Sequence, residues 1–549
     1  MQIQVRINEE GALRNQRHAF SNRLTLVSEL LQNARRAGAT RIEIHHNAGA
    51  QLLRVHDNGC GLEDFQKLLS FHETGWDAVT RAEERPFGVG FSKCLYAATR
   101  CIVASGRQRV DIDTAAALAK ACIDVETVSA AEAVAGTQVE LHGVDLPDLG
   151  TQIEELCLGF PVPVLFNGQA LTRRYAEDHL VLQPSAIGGI HLSGTQDGRH
   201  SPATMVFLQG FCVLKPSCFL HETPNVVHLD SRQFMARLPD RDRLIDEDLQ
   251  RKRIDTALRA RWRSALESAK ARLAPEHFVQ TYYAAMRGWG HLDLMNDLAP
   301  LPAGLFDAIV GYPVQDEHGE RDFVSELTTP PTRGEIESAA VQLVALDSVG
   351  NDNGARWMLA RSKGYRVFEW FGLHTDHWVR SHVRFLEDEP VQVEALGEEL
   401  HTVLEGRWVS PSVMLCAAVR IRVGPDEAVI TDEGVCHDGT LYIPAGERTG
   451  RPVLQLSSFT DEHDQYLDAD ADADCEALAD LIRRLRSLDP AQTFDSLLQD
   501  LRLGKYPLLH GRTFQVTVGV GSAPGHSVEL VQDEAAVERT GTGGQHERS

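Results

Sequence analysis

The chain has ten cysteines but no C-x-x-C pair and no zinc-like spacing among them, which excludes a zinc ribbon and a dithiol redox motif and reads as reduced, mostly buried thiols. There is no apolar segment near Met1 and no uninterrupted apolar run of membrane-spanning length, so neither a signal peptide nor a membrane span is expected, and the protein reads as cytoplasmic. An excess of positive charge is also missing. The formal net charge is -24, and broad nucleic-acid binding is not expected of such a field, because gripping phosphates requires cations to displace their counterions. No internal repeat and no heptad seam stands out. What remains is a 549-residue chain, 43% hydrophobic and 24% charged, with the balance of a globular protein too long for one core.

Breaks in the pattern divide the chain into expected regions at 1–148, 149–285, 286–460 and 461–549. The first alternates helix and strand periods until Gly143–Asp148, GVDLPD, a turn-rich boundary. The second opens on LCLGFPVPVLFNGQAL, a hairpin signal around Asn167-Gly168, continues through MVFLQGFCVL, and closes on a long charged helix from about Asp240 to Leu273. The third is a mixed α/β region with a loop at LTTPPTRGE, a strand-like aromatic stretch from Tyr365 to Phe385, and hairpins in IRVGPDEAVITDEGVCHDGTLYI. The fourth starts with an acidic DADADAD run that reads as a linker feeding a helix, and ends in a polar, glycine-rich tail expected to be disordered.

Four segments of the first region carry chemistry. In FSNRLTLVSELLQNARRAGAT, Ser21 or Asn22 would cap a helix that Gly38 ends, with Leu24, Val27, Leu31 and Ala34 as its apolar stripe. Glu29 and Asn33 lie one turn apart at the stripe's edge. There, a carboxylate suits proton acceptance from water, and an amide oxygen suits Mg2+. TRIEIHH and QLLRVHD read as paired strands, the second running into Asp57-Asn58-Gly59-Cys60-Gly61, where glycines allow backbone and acid to approach a flat ligand. In RPFGVGFSKCLYAATRCIVAS, Gly88 and Gly90 lie immediately before a helical stretch from Phe91 to Thr99, where they would expose backbone N–H groups to phosphate. Walker A spacing is absent. Last, Gly136-Thr137 enters a strand and places a hydroxyl for the base. Singly, each segment reads as ordinarily as an amphipathic surface helix or an Asp-Gly turn.

Together, in this order and spacing, they resemble the four motifs of the GHKL superfamily of gyrases, ninety-kilodalton heat-shock chaperones, histidine kinases and MutL proteins. AGATRIEI and DNGCG are similar to MutL, FGVGF to the chaperones, and the chaperone-like group is the expected subgroup. The resemblance spans residues 20–142. It implies an α/β (α+β sandwich) Bergerat-type domain that binds ATP and Mg2+, followed by an α/β middle domain and a mixed α/β C-terminal region. By it, Glu29 is the general base and Asn33 the Mg2+ ligand, Asp57 reads adenine, and Gly59, Gly61, Gly88, Val89, Gly90, Phe91 and Thr137 surround the nucleotide. A lid is implied over Phe71–Phe87. The sequence departs from the family twice: Arg36 stands where an acid is usual, and Arg85 where the first lid glycine is usual.

The resemblance also implies a middle-domain cation at the γ-phosphate. Leu229–Met235 is similar to the chaperones' loop and nominates Arg232 as a catalytic residue, with Arg237, Arg241 and Arg243 chemically equivalent. The implied function is slow ATP hydrolysis driving chaperone-like remodelling of a protein client, in a homodimer; the alternative is MutL- or gyrase-like DNA handling. A histidine kinase is disfavoured, because the site begins near residue 20. His374, His377 and His382 lack zinc spacing, and the aspartate run from Asp468 lacks the glycine and glutamate of a calcium loop.

Overall fold

The computed structural model of the chain describes residues 3–4, 8–16, 23–73, 75–84, 88, 90–216, 223–237, 241–314, 322–347, 353–463, 465–519 and 525–533. These fall into two compact units, residues 1–302 with 373–377, and residues 303–372 with 378–549. The first unit carries the four segments named above.

Its first layer is an eight-stranded sheet ordered β5-β4-β3-β6-β2-β1-β7-β8. In chain order the elements are α1 (Glu9–Gln16), α2 (Thr25–Arg36), β1 (Ile42–Asn47), β2 (Leu52–Asp57), α3 (Ala78–Glu84), α4 (Ser92–Ala97), β3 (Arg100–Gly106), β4 (Gln108–Asp113), α5 (Thr114–Leu118), β5 (Val125–Thr127), β6 (Val134–His142), α6 (Leu149–Leu156), β7 (Val164–Phe166) and β8 (Gln169–Ala170). β1 and β2 alternate as their sequences require, sending Ile42, Ile44, Leu53 and Val55 into the core. There they meet Leu26, Leu30 and Leu31 of α2 and Cys94 and Leu95 of α4. Each such aliphatic side chain contributes about 1.5–3 kcal/mol by leaving water.

Two expectations change here, and a third falls outside the described residues. α2 is not an amphipathic surface helix: Thr25 to Gln32 and Ala34 are all buried, because the helix is covered on its polar flank too. Gln32 Nε2 donates to Gln209 Oε1 at 2.6 Å, which satisfies a side chain that burial would otherwise penalise. Leu24 occupies the N-cap without a side-chain bond; Ser21 and Asn22 lie outside the described residues. Finally, the hairpin around Asn167-Gly168 forms, but β7 pairs in parallel with β1, Ile42 against Val164. It therefore extends the first sheet across the break read at GVDLPD. Turn chemistry marks the end of a strand and is silent on which distant strand completes the sheet.

The second layer is a five-stranded sheet ordered β12-β11-β13-β10-β9, formed by β9 (Gln183–Ser185), β10 (Gly188–His191), β11 (Thr204–Leu208), β12 (Phe211–Leu214) and β13 (Asn225–Leu229). The charged stretch forms α7 (Glu247–Arg272), followed by α8 (Pro275–Trp289), with Pro275 at the helix start and Gly290 left-handed at its end. Ile254 and Leu258 of α7 pack on Ile190, Val206 and Val227 of this sheet.

The second unit holds five-, three-, four- and two-stranded sheets. The expected hairpins form at 418–430 and 435–443. The aromatic stretch contains only short strands, Arg366–Phe368 and Val383–Phe385, separated by 3-10 turns. LTTPPTRGE is a loop up to Thr332, which caps a short helix, Arg333–Glu337. The acidic run is no linker: Asp468–Leu485 is one helix. Asp474 is fully buried and accepts from the backbone N–H groups of Arg407, Trp408 and Val409. Alternating Asp-Ala looks solvated by composition, yet at helical spacing Ala471, Asp474, Leu478 and Ile482 form the buried face. The polar tail lies outside the described residues.

Candidate active site

α2 is held against the sheet by its leucines, so its remaining edge faces a cavity of about 630 Å3, a size suited to a nucleotide. Glu29, Asn33, Asp57, Gly61, Gly88, Gly90, Phe91 and Thr137 all line it. Val89 and Arg85 lie outside the described residues, as does Thr74 and the end of the segment read as a lid.

Asp57 ends β2 and stands opposite Thr137 of β6. Its Oδ1 accepts from the Gly59 N–H at 2.8 Å, and the Thr137 N–H also reaches the carboxyl. Burial pushes the Asp57 carboxyl above its ordinary value, and those two bonds only partly offset this. Gly59 thus serves the site through its backbone rather than by lining it. Gly136 has φ +77°, and a Cβ there would strike the Asp57 carbonyl, so the strand entry demands glycine. Ser105, a residue the motifs do not indicate, clamps the turn. Its hydroxyl donates to the Gly136 carbonyl at 2.7 Å and accepts from the Leu62 N–H at 2.8 Å.

Glu29 is 7% exposed. One oxygen, Oε2, lies where any Cβ on residue 90 would collide with it; the glycine loop and the acid are therefore fitted to each other. The other, Oε1, accepts from Arg241 Nε at 3.1 Å. Arg241 lines the cavity, donates from Nη1 to Gln209 Oε1 at 3.1 Å, and sits at φ +54°, a conformation costly for a non-glycine residue and maintained by its surroundings. Arg232 does not reach the cavity. Its side chain is 68% exposed and paired with Asp230 at 3.1 Å. Of the four arginines that the loop offered, Arg241 alone lines the cavity among the described residues.

Arg36 also lines the cavity. Its Nε donates to Glu84 Oε2 at 2.8 Å, and Arg35 Nη2 reaches the same oxygen at 2.5 Å. Burial, reinforced by Arg241, pushes the Arg36 guanidinium below its ordinary value, opposed by the bond to Glu84. The Glu84 carboxyl is held low by these two guanidinium groups against the effect of burial.

For a divalent cation, Asn33 offers one amide oxygen at the cavity wall, and no group of three His, Cys, Asp or Glu side chains suited to a metal occurs among the described residues. That donor set fits Mg2+ carried by phosphates, which takes few protein ligands and keeps its waters.

No protein-family profile matches the chain. Over 70 residues it is 40% identical to the DNA mismatch repair protein MutL of Salmonella arizonae, a match covering 12% of this chain and 11% of the relative. It is 39% identical over 70 residues to MutL of Yersinia pestis, with the same coverage. The chain thus spans about a tenth of the length of the curated relatives it matches. Among solved structures, the ATPase region of Saccharomyces cerevisiae topoisomerase II aligns over 34% of this chain and 61% of its own at 13% identity, TM-score 0.27. The fold itself is mixed α/β. No helix among the described residues is long and apolar enough to cross a membrane.

Proposed function

We propose that this chain is a GHKL-type ATPase that binds Mg-ATP in the cavity of its first unit and hydrolyses it slowly. One observation carries the reading: four segments scattered over more than a hundred residues, together with Arg241 from the second layer, converge on a single cavity of about 630 Å3.

In this reading Asp57 accepts from the adenine amino group, and the glycine loop from Gly88 to Gly90 gives backbone N–H groups to the phosphates. Asn33 holds Mg2+, which supplies charge neutralisation on the phosphates. Glu29 takes the proton of the attacking water. With Arg241 on its Oε1, Glu29 has one oxygen already committed, so turnover requires the guanidinium to shift toward the charge developing on the transferred phosphoryl group. Arg241 replaces Arg232 as the cation from the second layer. The test is steady-state phosphate release by the full chain and by Glu29→Ala: the variant should keep Mg-ATP and lose turnover, and equal rates would remove Glu29 from the chemistry.

Hydrolysis coupled to movement of Arg241 suits an ATP-driven machine acting on a protein client, which the net charge of -24 favours. A second reading, ATP-dependent DNA handling, is favoured by the 70-residue likeness to MutL. Salt-dependent retention on DNA cellulose that strengthens with nucleotide would select the second. A client trapped by Glu29→Ala, without DNA retention, would select the first. Either form working as a homodimer, in the cytoplasm, is part of the same proposal.

A further inference from the structure

Arg36 stands where the resemblance implies an acid, and its surroundings are not those of a merely structural cation. The side chain is 2% exposed. Nε is satisfied by Glu84, but Nη2 is buried with no hydrogen-bond partner among the described residues. A buried guanidinium N–H without an acceptor is expensive and rare in a settled core. Structural neutralisation of Glu84 does not require Arg36 either, because Arg35 already reaches the same carboxylate oxygen at 2.5 Å. Within this ion-pair network three guanidinium groups, on Arg35, Arg36 and Arg241, face two carboxylates, on Glu29 and Glu84. Arg36 shares the cavity wall with Glu29, Asn33 and Arg241. Arg36 also feels Arg241 as a repulsive neighbour, and an anion between the two would remove that repulsion.

From this geometry we infer that Arg36 is a phosphate-binding residue of the nucleotide site, its Nη2 donating to the polyphosphate while its Nε stays on Glu84, whose charge partly neutralises the same guanidinium. The inference rests on the nucleotide reading above. It assigns to α2 a dual role that the acid usual at this position could not perform: Asn33 addresses the metal and Arg36 addresses the phosphate oxygens directly. Arginine suits this because its planar fork keeps Nε on a carboxylate while Nη2 reaches another acceptor. Glu84 lies at the end of α3, and its contacts with Arg36 Nε and with Arg35 both stay in place while Nη2 holds the polyphosphate.

The experiment is isothermal titration of the full chain with Mg-ATP and, separately, with AMP, using the wild type, Arg36→Met and Glu84→Gln. Arg36→Met should weaken Mg-ATP by about ten- to a hundred-fold, the loss of one charge-assisted hydrogen bond, and AMP far less. Glu84→Gln removes that neutralising charge, so it should tighten Mg-ATP while leaving AMP nearly unchanged. A structural Arg36 predicts the opposite pattern. Arg36→Met would then weaken both ligands equally or neither, and Glu84→Gln would not tighten Mg-ATP; either result overturns the assignment. If Arg36→Met does not fold, Glu84→Gln alone decides. A wild-type chain that binds neither AMP nor Mg-ATP would instead bring down the nucleotide site, and this inference with it. Binding of both by the wild type with unchanged affinities in the variants would bring down this inference alone.

Discussion

Two buried carboxylates, one in each unit, show how differently this chain treats the same functional group. Asp474 is fully buried, and its two oxygens accept from three consecutive backbone N–H groups. Its bonding is complete and made to neutral backbone donors 65 to 67 positions earlier, the pattern of a group that fixes a loop. Glu29 is almost as buried, yet it faces a cavity, carries among the described residues one ion pair, from a distant loop, and has its second oxygen against a glycine. Its bonding is incomplete and made to a mobile type of side chain. A carboxylate satisfied by backbone stabilises one conformation, whereas one held by an arginine at a cavity wall is arranged so that its partner can change.

The contrast breaks most sharply under substitution. Asp474→Ala leaves three backbone N–H groups without their buried acceptor, and should cost about 3 kcal/mol of stability in the second unit. A lowered melting transition with unchanged nucleotide affinity is the expected result, and an unshifted transition would mean that water replaces the carboxylate. Glu29→Ala should do the reverse, leaving the melt nearly intact and lowering turnover by about 100-fold or more. Arg241→Ala should slow hydrolysis by about 100-fold, the effect of removing a cation that stabilises the transferred phosphoryl group, while Arg232→Ala, at an exposed ion pair, should leave the rate within a factor of about two. Equal defects in the two variants, read from single-turnover rates, would deny Arg241 its special position.

A smaller effect sharpens the comparison from the side of pH. Because burial raises the Asp57 carboxyl above its ordinary value, ATP affinity should fall on acidification, beginning at a higher pH than an exposed aspartate would give. The sign follows because, in the proposed function, the ionised form is the acceptor for the adenine amino group. Folding moves the other way: a raised folded-state pKa contributes stability that is present at low pH and lost as pH rises through it, so the falling affinity does not arise from unfolding driven by Asp57. Titrations across a pH series should show this slope in the wild type and none in Asp57→Asn; a flat wild-type profile would place the adenine contact elsewhere.

Much of the site is legible in the sequence because its parts are local. The paired strands 42–47 and 52–57 and the helix of Glu29 and Asn33 follow from periodicity, and the Asp57 turn from its glycines. Elements whose meaning depends on distant partners are not legible. Arg232, Arg237, Arg241 and Arg243 are chemically alike in sequence, and what distinguishes Arg241 is a left-handed backbone that turns it to Glu29, 212 positions away. Glu84 is a helix-end acid until Arg35 and Arg36, 49 and 48 positions earlier, are brought to it. Asp474 is hidden by alternation that reads as solvated. Ser105 gives no signal at all, since a serine ending a strand is ordinary until Gly61 and Gly136 close around it.

The central claim, that the four segments form one adenine-nucleotide site, is tested most directly by titrating the full chain with Mg-ATP and comparing Asp57→Asn with the wild type. The account predicts measurable binding by the wild type and a loss of about ten- to a hundred-fold in the variant, the value of a charge-assisted hydrogen bond to the base, with the thermal melt unchanged. Equal affinity in a folded variant, or no binding by the wild type, would contradict it.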